Sequence, residues 1–167
     1  MLLKILGIST AVVTLSLAGN FSAQEKGEKA DKTAQAKMVS EQFAKVMFVD
    51  KDLPGLMKVV AVPFLWPYDS KTVDHVDDLK RKIDGLLSKP GMQLGVIKIH
   101  GVKSLDSDAP NWKVMKKGDV IVGLSITPKG AEPLNLFIMV ASSGAQPKVV
   151  GYVSVPPSAF EELKEKN

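Results

Sequence analysis

The stretch VVAVPFLWPYDSKTV, residues 59–73, is where this chain passes from helix to sheet. A helical apolar pattern runs into Pro63, and Phe64, Leu65, Trp66 and Tyr68 then crowd around a second proline, Pro67. Proline disfavours helix in the residue before it, so a short helix carrying Leu56, Val59 and Val60 must stop near Pro63. Residues 64–66 then read as a strand, 67–70 as a turn and 71–73 as the returning strand. Phe64 and Leu65 close the core at this handover. Trp66 and Tyr68 share one alternating face, and each has a polar tip suited to a pocket mouth or an interface.

Upstream, MVSEQFAKVMF (38–48) spaces Val39, Phe43, Val46 and Met47 as one face of a helix. Asp50 and Asp52 break it, and Asp52 is placed to cap the short second helix, with Pro54 tolerated in its first turn. Downstream, DHVDDLKRKIDGLLSK (74–89) puts Val76, Leu79, Ile83, Leu86 and Leu87 on one stripe. Asp74, Asp77 and Asp78 lie in its first turns and Lys89 closes it, in agreement with the helix dipole. Beyond Gly91 the chain predicts strands over 93–102, 119–126, 134–142 and 148–155, joined by segments rich in Gly, Pro, Asp and Lys. Helices first and strands afterwards make an α+β domain, with N-terminal helices packed on a curved, four- to six-stranded antiparallel sheet.

Two of these strands are apolar on both faces. In DVIVGLSI, Val120, Val122, Leu124 and Ile126 oppose Ile121; in NLFIMVAS, Leu136, Ile138 and Val140 oppose Phe137, Met139 and Ala141. A sheet with one solvated face alternates apolar and polar residues, so this sheet is expected to be covered on both sides. The helices account for one side, and a second copy of the chain, in a homodimer through the sheet, is the expected cover for the other.

The 167 residues, 45% hydrophobic and 24% charged, suffice for one domain with its own core. Residues 1–23 combine a basic start at Lys4, an apolar run and small residues near the end, the anatomy of an export signal cut after Ala18 or Ala23. The run is too short and too interrupted by hydroxyl residues for a stable membrane anchor. A periplasmic or secreted protein follows. Removing 1–23 removes Lys4 and no acid, taking the formal charge from +4 to +3. The remaining cations are scattered among acids, which argues against a nucleic-acid surface. With no cysteine there is neither disulfide nor thiol chemistry. Residues 24–37 are polar and read as a flexible lead-in, 38–156 as the domain and 157–167 as a C-terminal tail, in which Phe160 to Leu163 reads as a short surface helix or tail.

The order of elements resembles the NTF2-like (cystatin-like cone) superfamily over roughly residues 38–156. The stretches that carry it are EQFAKVMFVDKDLPGLMKVVAVPFLW, DDLKRKIDGLLSK, GDVIVGLSI and PKVVGYVSV. The resemblance implies a sheet wrapped around a helix, a conical pocket and, in many members, dimers through the sheet. It does not by itself supply a function. A second resemblance, of SDAPNWKVMKKGDVIVGLSI to part of a PDZ domain, implies a binder of peptide tails by strand addition.

Chemistry-bearing residues are few. In GVIKIHGV, Val96, Lys98 and His100 lie on one strand face. Were that face to line the cone, desolvation would lower both pKa values and draw Lys98 towards acid–base use. On an edge strand the same residues are protective and solvated. His75 falls in an exposed first helical turn, and Trp112 in the long loop is a candidate lid or partner contact. There is no Gly-x-Ser-x-Gly elbow, phosphate loop or metal-ligand pattern, so no cofactor and no metal are expected. The function expected is that of a non-catalytic binding module, with a small apolar ligand in the cone near Trp66, Tyr68, Lys98 and His100. The alternatives are an isomerase- or dehydratase-type enzyme using His100 with Lys98 or Tyr68, and a PDZ-like peptide binder.

Overall fold

The structure, a computed structural model, describes residues 18–88, 94–110 and 112–163. Helix α1 (Ala18–Ala44) runs into a π-helical turn, Lys45–Asp50, and α2 is Leu53–Val59. Strands β1 (Val60–Leu65) and β2 (Thr72–Val73) form the hairpin, followed by α3 (Val76–Leu87). Strands β3 (Leu94–Ser104), β4 (Val120–Pro128), β5 (Leu134–Ala141) and β6 (Lys148–Ser154) complete the sheet, and a 3₁₀ helix, Pro157–Leu163, ends the described chain. The class is α+β, and the sheet order is β2-β1-β6-β5-β4-β3.

The helices bury one face of the sheet. Ala36, Val39 and Phe43 of α1, Leu56 of α2, and Leu79 and Ile83 of α3 share a core with Val122, Leu124, Ile126, Leu136 and Ile138. The alternation expected in β4 and β5 holds: the odd-numbered set Ile121, Phe137 and Met139 turns to the opposite face. Four departures from expectation have physical causes. The sheet is not purely antiparallel, because β1 pairs with β6 in parallel, α3 and strands β2 to β5 serving as the crossover. Residues 24–37 are not an irregular lead-in but the middle of α1, whose Ala36 is fully buried. The short helix ends at Val59, three residues before the one preceding Pro63, and β1 passes through Pro63. Val76 is half exposed, since it stands at the first position of α3, off the buried Leu79–Ile83 line. The expected Lys89 terminus and the Gln93 strand start lie outside the described residues.

The second apolar face is indeed covered, but by the chain itself. Val114 and Met115 of the β3–β4 loop, with Phe160 and Leu163 of the 3₁₀ helix, pack on Leu65, Ile121, Phe137, Met139 and Val150. Residues 157–163 are therefore neither a tail nor a surface helix: the short helix forms, and Phe160 and Leu163 bury it against the sheet. The socket is made by two facing glycines, Gly101 and Gly123, paired across β3 and β4. A Cβ on Gly101 would stand 2.9 Å from the Leu163 Cβ, and one on Gly123 would meet the Leu163 and Phe160 side chains. Trp112 joins the same cluster, so its neighbour is intramolecular. Two apolar faces thus no longer require a second copy.

Candidate functional site

At the hairpin corner, the Trp66 amide donates to the Lys71 carbonyl at 2.8 Å and the Ser70 amide to the Trp66 carbonyl at 3.1 Å. Ser70 takes the left-handed conformation (φ 54°) that this tight return requires. The Trp66 side chain is buried, and the Lys82 ammonium stands 5.1 Å from its ring centroid. From there aromatic contacts run inward. Trp66 lies 6.4 Å from Phe64, Phe64 6.4 Å from Tyr152, and Tyr152 5.5 Å from Phe43 and 6.2 Å from Phe48. These rings occupy the space between helices and sheet where the cone resemblance implies a pocket. Burial raises the Tyr152 pKa, and the adjoining Tyr68 hydroxyl, a hydrogen-bond partner, adds to the rise. Tyr68 itself is 72% exposed.

Lys98 and His100 are elsewhere. Lys98 pairs with Ser125 in the β3–β4 register, on the face turned away from the helices. His100 follows on the same outer face by alternation, at a bulge between Ile99 and Gly101. Its Nε2 lies 2.8 Å from Ser125 Oγ, and its ring stacks on Phe160 at 4.2 Å and 9°. Lys98 is exposed and His100 half-buried. Tyr68 follows β1 while His100 is on β3, four strands away, or roughly 19 Å at about 4.8 Å per strand. The four residues expected at one pocket are thus divided between opposite faces and opposite ends of the sheet. Strand alternation shows which residues share a face but not which face the helices take, so the cone-lining expectation for Lys98 and His100 fails.

The His100 environment has a measurable consequence. Desolvation, and secondarily the Lys98 ammonium, hold its pKa below the ordinary imidazole value. As pH falls through about 6.5 the unfolded chain takes up this proton first, so the stabilisation present at neutral pH is lost on acidification. Urea unfolding of the wild type is expected to lose midpoint between pH 7.5 and 5 more steeply than His100→Gln. Parallel pH slopes for the two proteins would show that His100 titrates alike in both states.

Three surface clefts are lined by none of Trp66, Tyr68, Lys98 and His100. The first, about 430 Å³, is bounded by Met38 and Gln42 of α1, Lys58 and Val59 of α2, and Pro147 and Lys148 at the β5–β6 turn. A second, about 300 Å³, lies at the start of α3 and includes the exposed His75. A third, about 410 Å³, opens between the hairpin turn and Lys113. The first draws on residues 38, 58 and 148, which no motif connects, so nothing in the sequence singles it out. Among the described residues, no three His, Asp or Glu side chains are grouped to hold a metal ion. The Gly118–Ile121 segment, within the stretch that carries the PDZ-like resemblance, leads into β4, which is paired on both sides by β3 and β5.

No protein-family model matches the chain, and a search of curated proteins gives no match. Among solved structures the chain is similar to one described as a protein of unknown function with a cystatin-like fold, from Nostoc punctiforme PCC 73102. That similarity has a TM-score of 0.46 and 9% identity, and covers 75% of this chain and 91% of the other.

Proposed function

We propose that this chain is an exported, non-catalytic binding module of the NTF2-like (cystatin-like cone) type that engages its ligand at the surface. The observation that carries the proposal is the aromatic cluster of Phe43, Phe48, Phe64, Trp66 and Tyr152, which fills the interior a cone-bound ligand would need. In this scheme the interior serves stability, and binding falls to clefts on the outside. Export rests on Lys4 and the apolar run that follows it, in residues outside the described part. Among the described residues no helix is long and apolar enough to cross a membrane. A second copy has no assigned role, because the chain covers its own outer sheet face.

The enzyme alternative keeps one favourable observation, the 2.8 Å contact between His100 and Ser125. Against it, Ser125 is only 6% exposed, Phe160 stacks on the imidazole, and Tyr68 is across the sheet. The test combines cell fractionation, N-terminal sequencing and hydrogen exchange with and without a small-molecule extract of the producing cells. A new N-terminus after Ala18 or Ala23, in the extracytoplasmic fraction, is expected, with extract-dependent protection confined to surface segments. A chain keeping Met1 in the cytoplasm would overturn export. Protection changes centred on the inner strands β4–β6 would overturn surface binding.

A further inference from the structure

We propose that the cleft between α1, the end of α2 and the β5–β6 turn binds a small amphiphile carrying one carboxylate head and an apolar tail. The proposal rests on the surface-binding reading above and gives it a site and a ligand class. The cleft's volume of about 430 Å³ lies in the range of small-molecule sites, roughly 300–1,000 Å³. Its walls divide chemically. Met38, Val39, Val59 and Pro147 are its apolar residues, and Lys58 and Lys148 supply the charge. Among the described residues no acidic side chain lines it.

Met38 is 70% exposed on α1, where a polar residue would be better solvated. An unbranched thioether in that position is an adaptable surface for an alkyl group. The Lys148 ammonium donates to the Lys58 carbonyl, which anchors it beside the last turn of α2. One of its three protons is so used, and two remain for an anion. Because the side chain is already ordered, a ligand need not immobilise it. Capping of α2 explains Lys148 by itself. It explains neither the exposed Met38 nor Lys58 at the same cleft. Gln35, also at the cleft, donates to Asp31 at 3.0 Å, so a carboxylate stands one residue removed from the lining. Its negative charge disfavours a dianion more than a monoanion, and lysines lack the fork that selects phosphate bidentately. A single carboxylate suits this balance.

The probes are decanoate and 1-decanol, each titrated into the full 167-residue chain at pH 7.5 and followed by backbone-amide and methionine-methyl NMR. Decanoate is expected to shift Met38, Gln42, Val59 and Lys148 saturably and to bind more tightly than decanol. Lys58→Gln is expected to weaken decanoate about twofold to fivefold, the worth of one exposed charge contact, while leaving decanol unchanged. Lys148→Gln should weaken it similarly, and Lys58→Gln keeps the test valid should loss of the α2 cap unfold the other variant. An equal effect of Lys58→Gln on both probes, or no saturable shift with decanoate, overturns the proposal while surface binding stands on its own experiment. Shifts confined to other surface residues, or to residues 1–17, overturn it alone as well. Shifts centred on Phe43 and Tyr152 overturn both this proposal and surface binding.

Discussion

Phe43→Ala is expected to lower the unfolding free energy by about 3–5 kcal/mol, enough to unfold a marginally stable domain. Phe43 is 1% exposed and touches Phe48 and Tyr152, so it pins α1 to the inner face of β6. Removing the ring opens a cavity where α1, the π-helical turn and the sheet meet, and rigid strands on one side limit its collapse. Urea denaturation with far-ultraviolet circular dichroism measures the loss. The variant also probes the interior, because a vacated ring site is apolar and suits a small apolar solute. A loss below about 1 kcal/mol would mean that α1 is not held to the sheet as described, and the packed interior would no longer support surface binding.

Asp119→Ala is expected to cost roughly 2–4 kcal/mol and to release the β3–β4 loop. The carboxylate is only 3% exposed. One oxygen accepts from the Lys116 amide at 2.8 Å and the other from the Ser142 amide at 2.9 Å. It thereby ties the loop to the end of β5, while the Leu105 amide donates to the Asp119 carbonyl at 2.8 Å. Alanine leaves two inward N–H groups without their acceptor, and Asp119→Asn, which keeps one carbonyl oxygen, should cost about half as much. The readout is limited trypsin digestion. Cleavage at Lys113, Lys116 and Lys117 is expected to accelerate in the alanine variant before global unfolding. Unchanged cleavage at these lysines, with normal stability, would show that the loop is held by Val114 and Met115 alone.

The two residues mark different limits of sequence reading. Phe43 was legible, since it stands with Val39 and Val46 at helical spacing between polar residues. Asp119 was not, because an aspartate between Gly118 and a strand has the composition of an ordinary turn. Its burial depends on Ser142, 23 residues away. The candidate site divides in the same way. Phe64 and Leu65 were assigned to the core corner, from the local chemistry of two prolines and an alternating apolar run, and both are buried there; Trp66, expected at a pocket mouth or interface, is buried beside them. Lys98 and His100 were correctly paired on one face, but period-two alternation is symmetric and carries no label for the helix side. The cleft at Met38, Lys58 and Lys148 was illegible, because three residues brought together by folding leave no spacing to detect.

Local pattern by itself determined the C-terminal part of α1, α2, α3, the strands and the two-sided apolarity of β4 and β5, because periodicity and proline sterics act within a few residues. Tertiary structure alone decided three things. It joined β1 to β6 in parallel, a pairing across some 90 residues that no local rule specifies. It filled the interior with rings from α1, β1 and β6, converting an expected pocket into core. It also folded the β3–β4 loop and the 3₁₀ helix over the outer face, where the sequence pattern had called for a partner. The physical reason is common to all three. Apolar surface demands burial without specifying by what, and only the path of the chain selects the cover.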